Sequence, residues 1–302
     1  MSSENVLEGD TLYLDPGLVT SETATINKQV TIIGTGYLRA SSPHQFANVS
    51  TSLTITAEGT KIEGLWCGNI YIRAANVTIE RCYSTGNIYV NNSNNNIKYT
   101  GILIRQCYIV GSYYIGGSGT SKESLTNATI ENNILISSYS NPLRYLNGCT
   151  VRNNYIRYTG TSTSANVIAN SINCTIYNNI LLNNYKPELV LNVDATCTAN
   201  NNIYSSSTTD EENHNLGLGS ADESLIFVMS GNNDERYSEL KEGSPAIGYG
   251  VDGADCGPTG GLYPYVVSGL PAYHPYYTNA VFSKTSDGTG VNVSLKIKMQ
   301  NE

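Results

Sequence analysis

The stretch at residues 149–157 reads CTVRNNYIR. It is restated as CTIYNNILL at 174–182 and, more loosely, as CTANNNIYS at 197–205. Anchoring each copy on the residue two places after its cysteine brings six segments into register. They are VTIERCY (77–83), ILIRQCY (102–108), ATIENNI (128–134), CTVRNNY (149–155), CTIYNNI (174–180) and CTANNNI (197–203). The anchors Ile79, Ile104, Ile130, Val151, Ile176 and Ala199 lie 25, 26, 21, 25 and 23 residues apart. Self-similarity at a near-constant period marks a solenoid, whose units bury their apolar faces only against each other.

Each column of the register has its own chemistry. The anchors and the residues two places before them are small or aliphatic. Between and after them stand Thr78, Leu103, Thr129, Thr150, Thr175 and Thr198, then Glu80, Arg105, Glu131, Arg152, Tyr177 and Asn200. This alternation has a period of two, so the unit is a strand. A second strand per repeat is legible in GNIYIR (68–73), GNIYVN (86–91), GSYYIG (111–116), NPLRYL (141–146), NVIAN (166–170) and ELVLNV (188–193). Strand, Asn-bearing bend, strand and variable loop describe one coil of a parallel β-helix, with inserts such as NNSNNNIKY and GGSGTSKES bulging from one side. Coils stacked about 4.8 Å apart place like residues above like. Asn133, Asn154, Asn179 and Asn202 should therefore form an amide ladder, and Tyr83, Tyr108 and Tyr155 should join the inner stack. The cysteines should pack inward as small apolar groups. Adjacent thiols are close enough for a disulfide, but three in a line do not make the tetrahedral array that zinc takes.

The strand rhythm begins near residue 9 and the repeat ends near Ser207. The expected organisation is all-β: right-handed parallel β-helix coils over 1–207, a terminal coil and capping segment over 208–275, and a hairpin packed on the helix over 276–302 around the turn SDGTG.

The 302 residues include 17 basic and 25 acidic side chains, a net charge of −8. That balance disfavours nucleic acid, which rewards clustered Lys and Arg. No run approaches 18 apolar residues, so no membrane span is expected. The start, MSSENVLEGDTLYLD, has neither a basic nor an apolar leader region, and the N-terminus is expected to be truncated. Low charge with abundant Asn, Ser, Thr, Gly and Tyr points to a secreted, periplasmic or cell-surface protein. Seven cysteines leave at least one thiol unpaired.

The phrase GDTLYLDPG, followed by TINKQVTIIGTG up to Gly36, resembles the first coils of bacterial secreted β-helix proteins of the pectin-lyase-like superfamily. LKEGSPAIGYGVDGADCGPTGG (240–261) resembles their end-of-helix segment. The resemblance covers most of the chain and implies the fold; members include lyases, hydrolases, epimerases and adhesins, so it implies no single activity. The hydrolase motifs Asn-Thr-Asp, Asp-Asp, Gly-His-Gly and Arg-Ile-Lys are absent. His44, His214 and His274 all fall outside the repeats. The acids between residues 60 and 205 (Glu63, Glu80, Glu123, Glu131, Glu188 and Asp194) form no cluster of the kind that binds calcium in pectate lyases.

Candidate residues therefore come from the outer face. Glu80, Glu131, Arg105 and Arg152 are the candidates for catalysis, of the lyase or glycoside hydrolase kind. Glu80 and Glu131 stand two rungs apart, roughly 10 Å, and Arg105 between them should depress both. Arg73, Arg144, Arg157 and Tyr177 are the candidates for holding a polysaccharide, an acidic one included. Asp252 and Asp255 in GVDGADCG are a weak calcium pair, too sparse for a full loop; no cofactor is otherwise implied, and the acidic run 210–214 with His214 reads as a solvated loop. The first expectation is a polysaccharide-binding or polysaccharide-processing β-helix; the alternative is a non-catalytic structural or adhesive one. A cleft walled by the inserts 91–100 and 116–127 around Arg105 or Glu131 would separate them.

Overall fold

The computed structural model describes residues 5–20, 22–37, 46–90, 98–117, 125–271, 275–284 and 291–299. The register found in the sequence is the register of the first sheet. Thr78–Glu80, Leu103–Arg105, Thr129–Glu131, Thr150–Arg152, Thr175–Tyr177 and Thr198–Asn200 pair in parallel, with all six anchors opposite one another. Thr11–Tyr13, Thr31–Ile33 and Lys61–Glu63 extend the column upstream through Leu12, Ile32 and Ile62. The protein is a parallel β-helix.

From Thr78 to Val193 each coil contributes a strand to each of three sheets where the sequence suggests two. Tyr83–Ser84, Tyr108–Gly111, Ile134–Ser137, Tyr155–Tyr158, Ile180–Asn183 and Ile203–Tyr204 form a second sheet directly after the bend, and Leu216–Gly217 adds a rung beyond Ser207. The second strand of the sequence reading is the third sheet, built from Ile88–Val90, Ile115–Gly117, Leu143–Arg144, Ile168–Ser171 and Leu191–Val193. Both sheets meet at Trp66–Ile72, whose first two residues pair with Tyr83–Ser84 and whose last three pair with Ile88–Val90. The bend between the first two sheets is so short that it leaves no gap in the apolar pattern, which hides the extra strand.

The bend is a single left-handed residue. Arg81, Gln106, Asn132, Asn153, Asn178, Asn201 and His214 have φ between +51° and +56°. Asn tolerates this region better than most side chains, which accounts for the first Asn of each Asn-Asn pair. A matching column at the other end of the strands, Asn76, Gly101, Asn127, Gly148 and Asn173, is also left-handed. At Gly148 a Cβ would meet Asn127 Oδ1 at 2.4 Å, so a larger residue there would displace the rung below.

The bend also shifts the in-out alternation by one place. Val151 points inward, and after Asn153 the inward residues are Asn154 and Ile156, so Tyr155 faces out. Tyr83, Tyr108 and Tyr155 are accordingly not in the inner stack. They belong to a second core, with Ile134, Ile180, Phe227, Tyr237, Cys256 and Tyr265, between the second sheet and the C-terminal segment. The inner core contains the anchors and the buried Cys67, Cys82, Cys107, Cys149 and Cys174; all seven cysteines are free thiols.

The second Asn of each pair forms the expected ladder. Nδ2 of Asn133, Asn154, Asn179 and Asn202 donates to Oδ1 of the next Asn at 3.0, 2.9, 3.0 and 3.1 Å, ending on Asn215. The same nitrogens donate to Ile104, Val151 and Ile176 or, for Asn154, Ile130 carbonyls at 2.8–2.9 Å. Asn215 follows Asn202 by only 13 residues, so the repeat does not reveal it. Pro275–Lys284 and Val291–Met299 form an antiparallel hairpin; its expected turn lies outside the described residues.

Asn154→Ala would strand the Ile130 carbonyl and the Asn133 amide inside the ladder. The expected loss is about 2–4 kcal/mol of stability, read from urea denaturation. A loss below about 0.5 kcal/mol would show that the ladder is not cooperative.

Candidate functional site

The left-handed column does more than turn the chain. Its side chains lie at the edge of the first sheet and grip the backbone of the C-terminal segment, one coil after another. Asn201 Nδ2 donates to Tyr249 O at 3.1 Å, and Asn178 Oδ1 accepts from Val251 N at 2.9 Å. Asn153 Nδ2 donates to Asp255 O at 3.1 Å; Asn132 Nδ2 donates to Pro258 O and Gly260 O at 2.9 and 2.7 Å. Gln106 Nε2 reaches Tyr263 O at 3.3 Å, and an Arg81 guanidinium nitrogen reaches Leu270 O at 3.1 Å. The segment thus runs back along the coils in the opposite order.

Beside this seam, the outer residues of the first sheet form a continuous ion-pair ladder. Lys61 lies 2.8 Å from Glu63 and 3.0 Å from Glu80. Arg105 binds Glu80 through Nε and a terminal nitrogen at 2.9 and 2.8 Å. Arg152 binds Glu131 Oε2 through Nε at 2.7 Å and a terminal nitrogen at 2.6 Å, then donates to the Tyr177 hydroxyl at 3.2 Å. Burial by itself would raise the Glu80 carboxyl, but Lys61, Arg105 and Arg81 outweigh it and hold it below the ordinary carboxylate range. Glu80 and Glu131 are only 3% and 2% exposed.

Where the segment stands off from this ladder, a cleft of 580 Å³ opens, within the size range of small-ligand sites. Its floor is Glu131, Arg152 and Tyr177; its wall includes Asp252, Asp255, Thr259 and Leu262. Two groups of candidates from distant parts of the sequence are thereby brought together. Asp255 Oδ1 accepts from Gly248 N at 2.8 Å, while Asp252 is exposed at φ +57°. Thr259 Oγ1 is buried with no hydrogen-bond partner among the described residues. No group of three or more His, Cys, Asp or Glu suited to a metal occurs among the described residues.

The remaining candidates lie elsewhere. Glu80 is sealed within the ladder, and Arg105 lies under the Tyr263 ring, 4.4 Å from its centroid. Arg157, on the second sheet, pairs with Glu223 and donates to Asn184 Oδ1 at 2.9 Å. Arg144 stacks on tyrosines of the third sheet, and Arg73 is exposed just after Trp66–Ile72. The cleft is walled by the C-terminal segment. Most of the two inserts expected to wall it, 91–97 and 118–124, lies outside the described residues, as do Glu123, His44 and His274. The sequence missed the clamp formed by the first Asn of each pair, although its repetition beside an already sufficient ladder Asn was a visible signal.

Another buried acid joins the segment to the coils. Asp234, 0% exposed, accepts from the Tyr265 hydroxyl at 2.9 Å and Ser268 N at 2.6 Å, and Tyr265 meets the Tyr37 hydroxyl.

No protein-family model, curated protein or solved structure matches the chain. Among the described residues no helix is long and apolar enough to cross a membrane.

Burial pushes the Asp234 carboxyl above its ordinary range despite the opposing hydrogen bonds from Ser268, Tyr265 and Tyr37. The folded state therefore holds this proton more tightly than the unfolded state. The associated stability is full below the ordinary Asp range and is lost as pH rises through the raised value. Asp234→Asn should flatten that part of the pH profile, gaining on wild type as pH rises from the ordinary Asp range. Urea midpoints measured across pH check this; parallel profiles would refute it.

Proposed function

We propose that the protein is a glycan-binding β-helix that holds a polysaccharide in the cleft between the first sheet and the C-terminal segment, without cleaving it. The observation that carries this reading is the convergence of Arg152, Tyr177, Asp252 and Asp255 on one open cleft. Tyr177 offers a ring on which a pyranose can stack. Arg152 offers donors, and the two aspartates accept from sugar hydroxyls. Three carboxylates, Glu131, Asp252 and Asp255, face one guanidinium, Arg152, among the lining residues. That balance suits a neutral stretch of chain.

The case against turnover rests on Glu131. A general acid or base must exchange a proton with a reacting group within reach. Glu131 is buried, and its Oε2 is held by both Arg152 nitrogens. Glu80, the other acid of the expected pair, lies under the same kind of lock. The same ladder favours the second reading, a structural or adhesive rod whose outer charges only stiffen it. A pectin-lyase-like ancestry, a bacterial source and a location outside the cytoplasm fit the coil-opening phrases and the polar, low-charge composition, and are part of the proposal.

Binding to a glycan array and digestion of a polysaccharide panel test it together. The expected result is binding to neutral chains that falls about tenfold in Tyr177→Ala and in Asp252→Asn, with no new reducing or unsaturated ends. Ends released by wild type and abolished in Glu131→Gln would restore the enzymatic reading, and failure to bind any glycan would favour the structural rod.

A further inference from the structure

The repeated cysteine has a capacity that the cleft does not draw on. Cys149, Cys174 and Cys197 each stand one place before the paired strands Thr150–Arg152, Thr175–Tyr177 and Thr198–Asn200. Their side chains therefore occupy one inward position on three successive coils. Cys149 and Cys174 are buried, but Cys197 is half-buried. Thr198–Asn200 is the last strand of the first sheet and Leu191–Val193 the last of the third. Leu191, Val193, Cys197 and Ala199 are each only partly buried, so the thiol line reaches the surface at the final coil. The other run of thiols, Cys67, Cys82 and Cys107, is wholly buried with coils on both sides.

Three sulfurs in a line cannot surround a zinc ion, but two neighbours are what a soft two-coordinate ion requires. Coils repeat at about 4.8 Å. Two metal–sulfur bonds of about 2.3 Å laid end to end span about 4.6 Å, and thiolate is the donor that selects Cu(I). The backbone around the line suits this chemistry. Ala128 N donates to Cys149 Sγ at 3.4 Å, and Cys174 N donates to Cys197 Sγ at 3.3 Å. N–H groups aimed at sulfur favour the thiolate, the form that binds metal. The thiols of Cys174 and Cys197 donate to the Ile172 and Ser171 carbonyls at 3.2 and 3.4 Å. Those carbonyls also accept from Gly148 N and Asp194 N, so each keeps a partner when the thiol proton leaves.

We propose that Cys174 and Cys197 form a two-coordinate site for one Cu(I) ion at the exposed end of the inner core. Two S–H bonds break, two Cu–S bonds form, and the oxidation state of copper is unchanged. Both protons go to solvent. The complex carries a single negative charge, which the Cys174 N–H and the solvent at Cys197 stabilise. Burial pushes the Cys197 thiol up, and the neighbouring Cys149 thiol pushes Cys174 up, so both are protonated at neutral pH. Binding therefore strengthens as pH rises. The site is independent of the cleft and of the glycan reading.

Anaerobic titration of the reduced, intact protein with Cu(I), in competition with a chromophoric Cu(I) chelator, tests the assignment. One ion should bind per chain. Affinity should rise about a hundredfold per pH unit near neutrality, a factor of about ten for each proton released. Cys197→Ser and Cys174→Val should each weaken binding by about a hundredfold, with melting temperatures as the control for folding. Cys256→Ser, in the second core, should leave binding unchanged. X-ray absorption of the loaded wild type should show two sulfur neighbours. The pH slope and the sulfur count are read on wild type, so they decide the matter even where a variant does not fold. Failure to retain Cu(I), a rise of only about tenfold per pH unit, or three or more sulfurs around copper would each overturn the proposal. So would displacement of the ion by equimolar zinc, or wild-type affinity in a folded Cys197→Ser.

Discussion

A single backbone conformation, the left-handed residue that follows each first-sheet strand from Thr78–Glu80 onward, sets the conditions for most of what this molecule does. At φ near +50° the chain turns sharply within one residue, and it does so at seven successive levels from Arg81 to His214. That turn shifts the in-out alternation. It puts the next residue, Asn154 or its equivalents, inside the corner, where amides stack at the coil repeat and satisfy both each other and the carbonyls beside them. The left-handed residue is left at the edge of the sheet with its own side chain free to reach outward. Every one of those side chains from Arg81 to Asn201 either binds the C-terminal segment or, in Arg81 and Gln106, also binds its neighbour in the column.

The C-terminal segment in turn decides what the outer charges can do. Glu80 and Glu131 lie on the solvent side of the sheet, yet the segment and the neighbouring guanidiniums bury them almost completely. A buried carboxylate is tolerated only when paired and hydrogen-bonded, and removing one partner is strongly destabilising. The alternation of Glu and Arg therefore supports the interface beneath the segment. The only like-charged neighbours in this column, Glu63 and Glu80, are bridged by Lys61 and Arg81. What remains open for a ligand is the downstream part of the ladder, from Arg152 to Tyr177, where the segment lifts away.

The sequence exposed six of the nine strands of the first sheet because their register is written in one column of anchors, and the amide ladder followed from the stacking distance alone. It did not expose the second sheet as a separate layer, since a one-residue corner leaves the apolar rhythm unbroken. The misplacement of Tyr83, Tyr108 and Tyr155 has the same cause: alternation counted straight through the bend gives the wrong face. For the site, Arg152 and Tyr177 were legible as outer residues, and Asp252 and Asp255 as a polar turn. Nothing in their separation of roughly a hundred residues could show that they meet.

What the sequence by itself determined is the coil: its period, its parallel first sheet, the inward thiols and anchors, and the stacked amides. These follow from short-range patterning, because each coil needs only its immediate neighbours to complete its core. What only the tertiary structure decided is the path of residues 249–271 across the edge of the first sheet. That path has no period and is fixed by six side chains, four of them asparagines, each matched to a carbonyl or amide far away in the chain. It turned the first Asn of CTVRNNYIR into a clamp, buried the acids that looked available for chemistry, and left the cleft as a surface where a ligand can still be met.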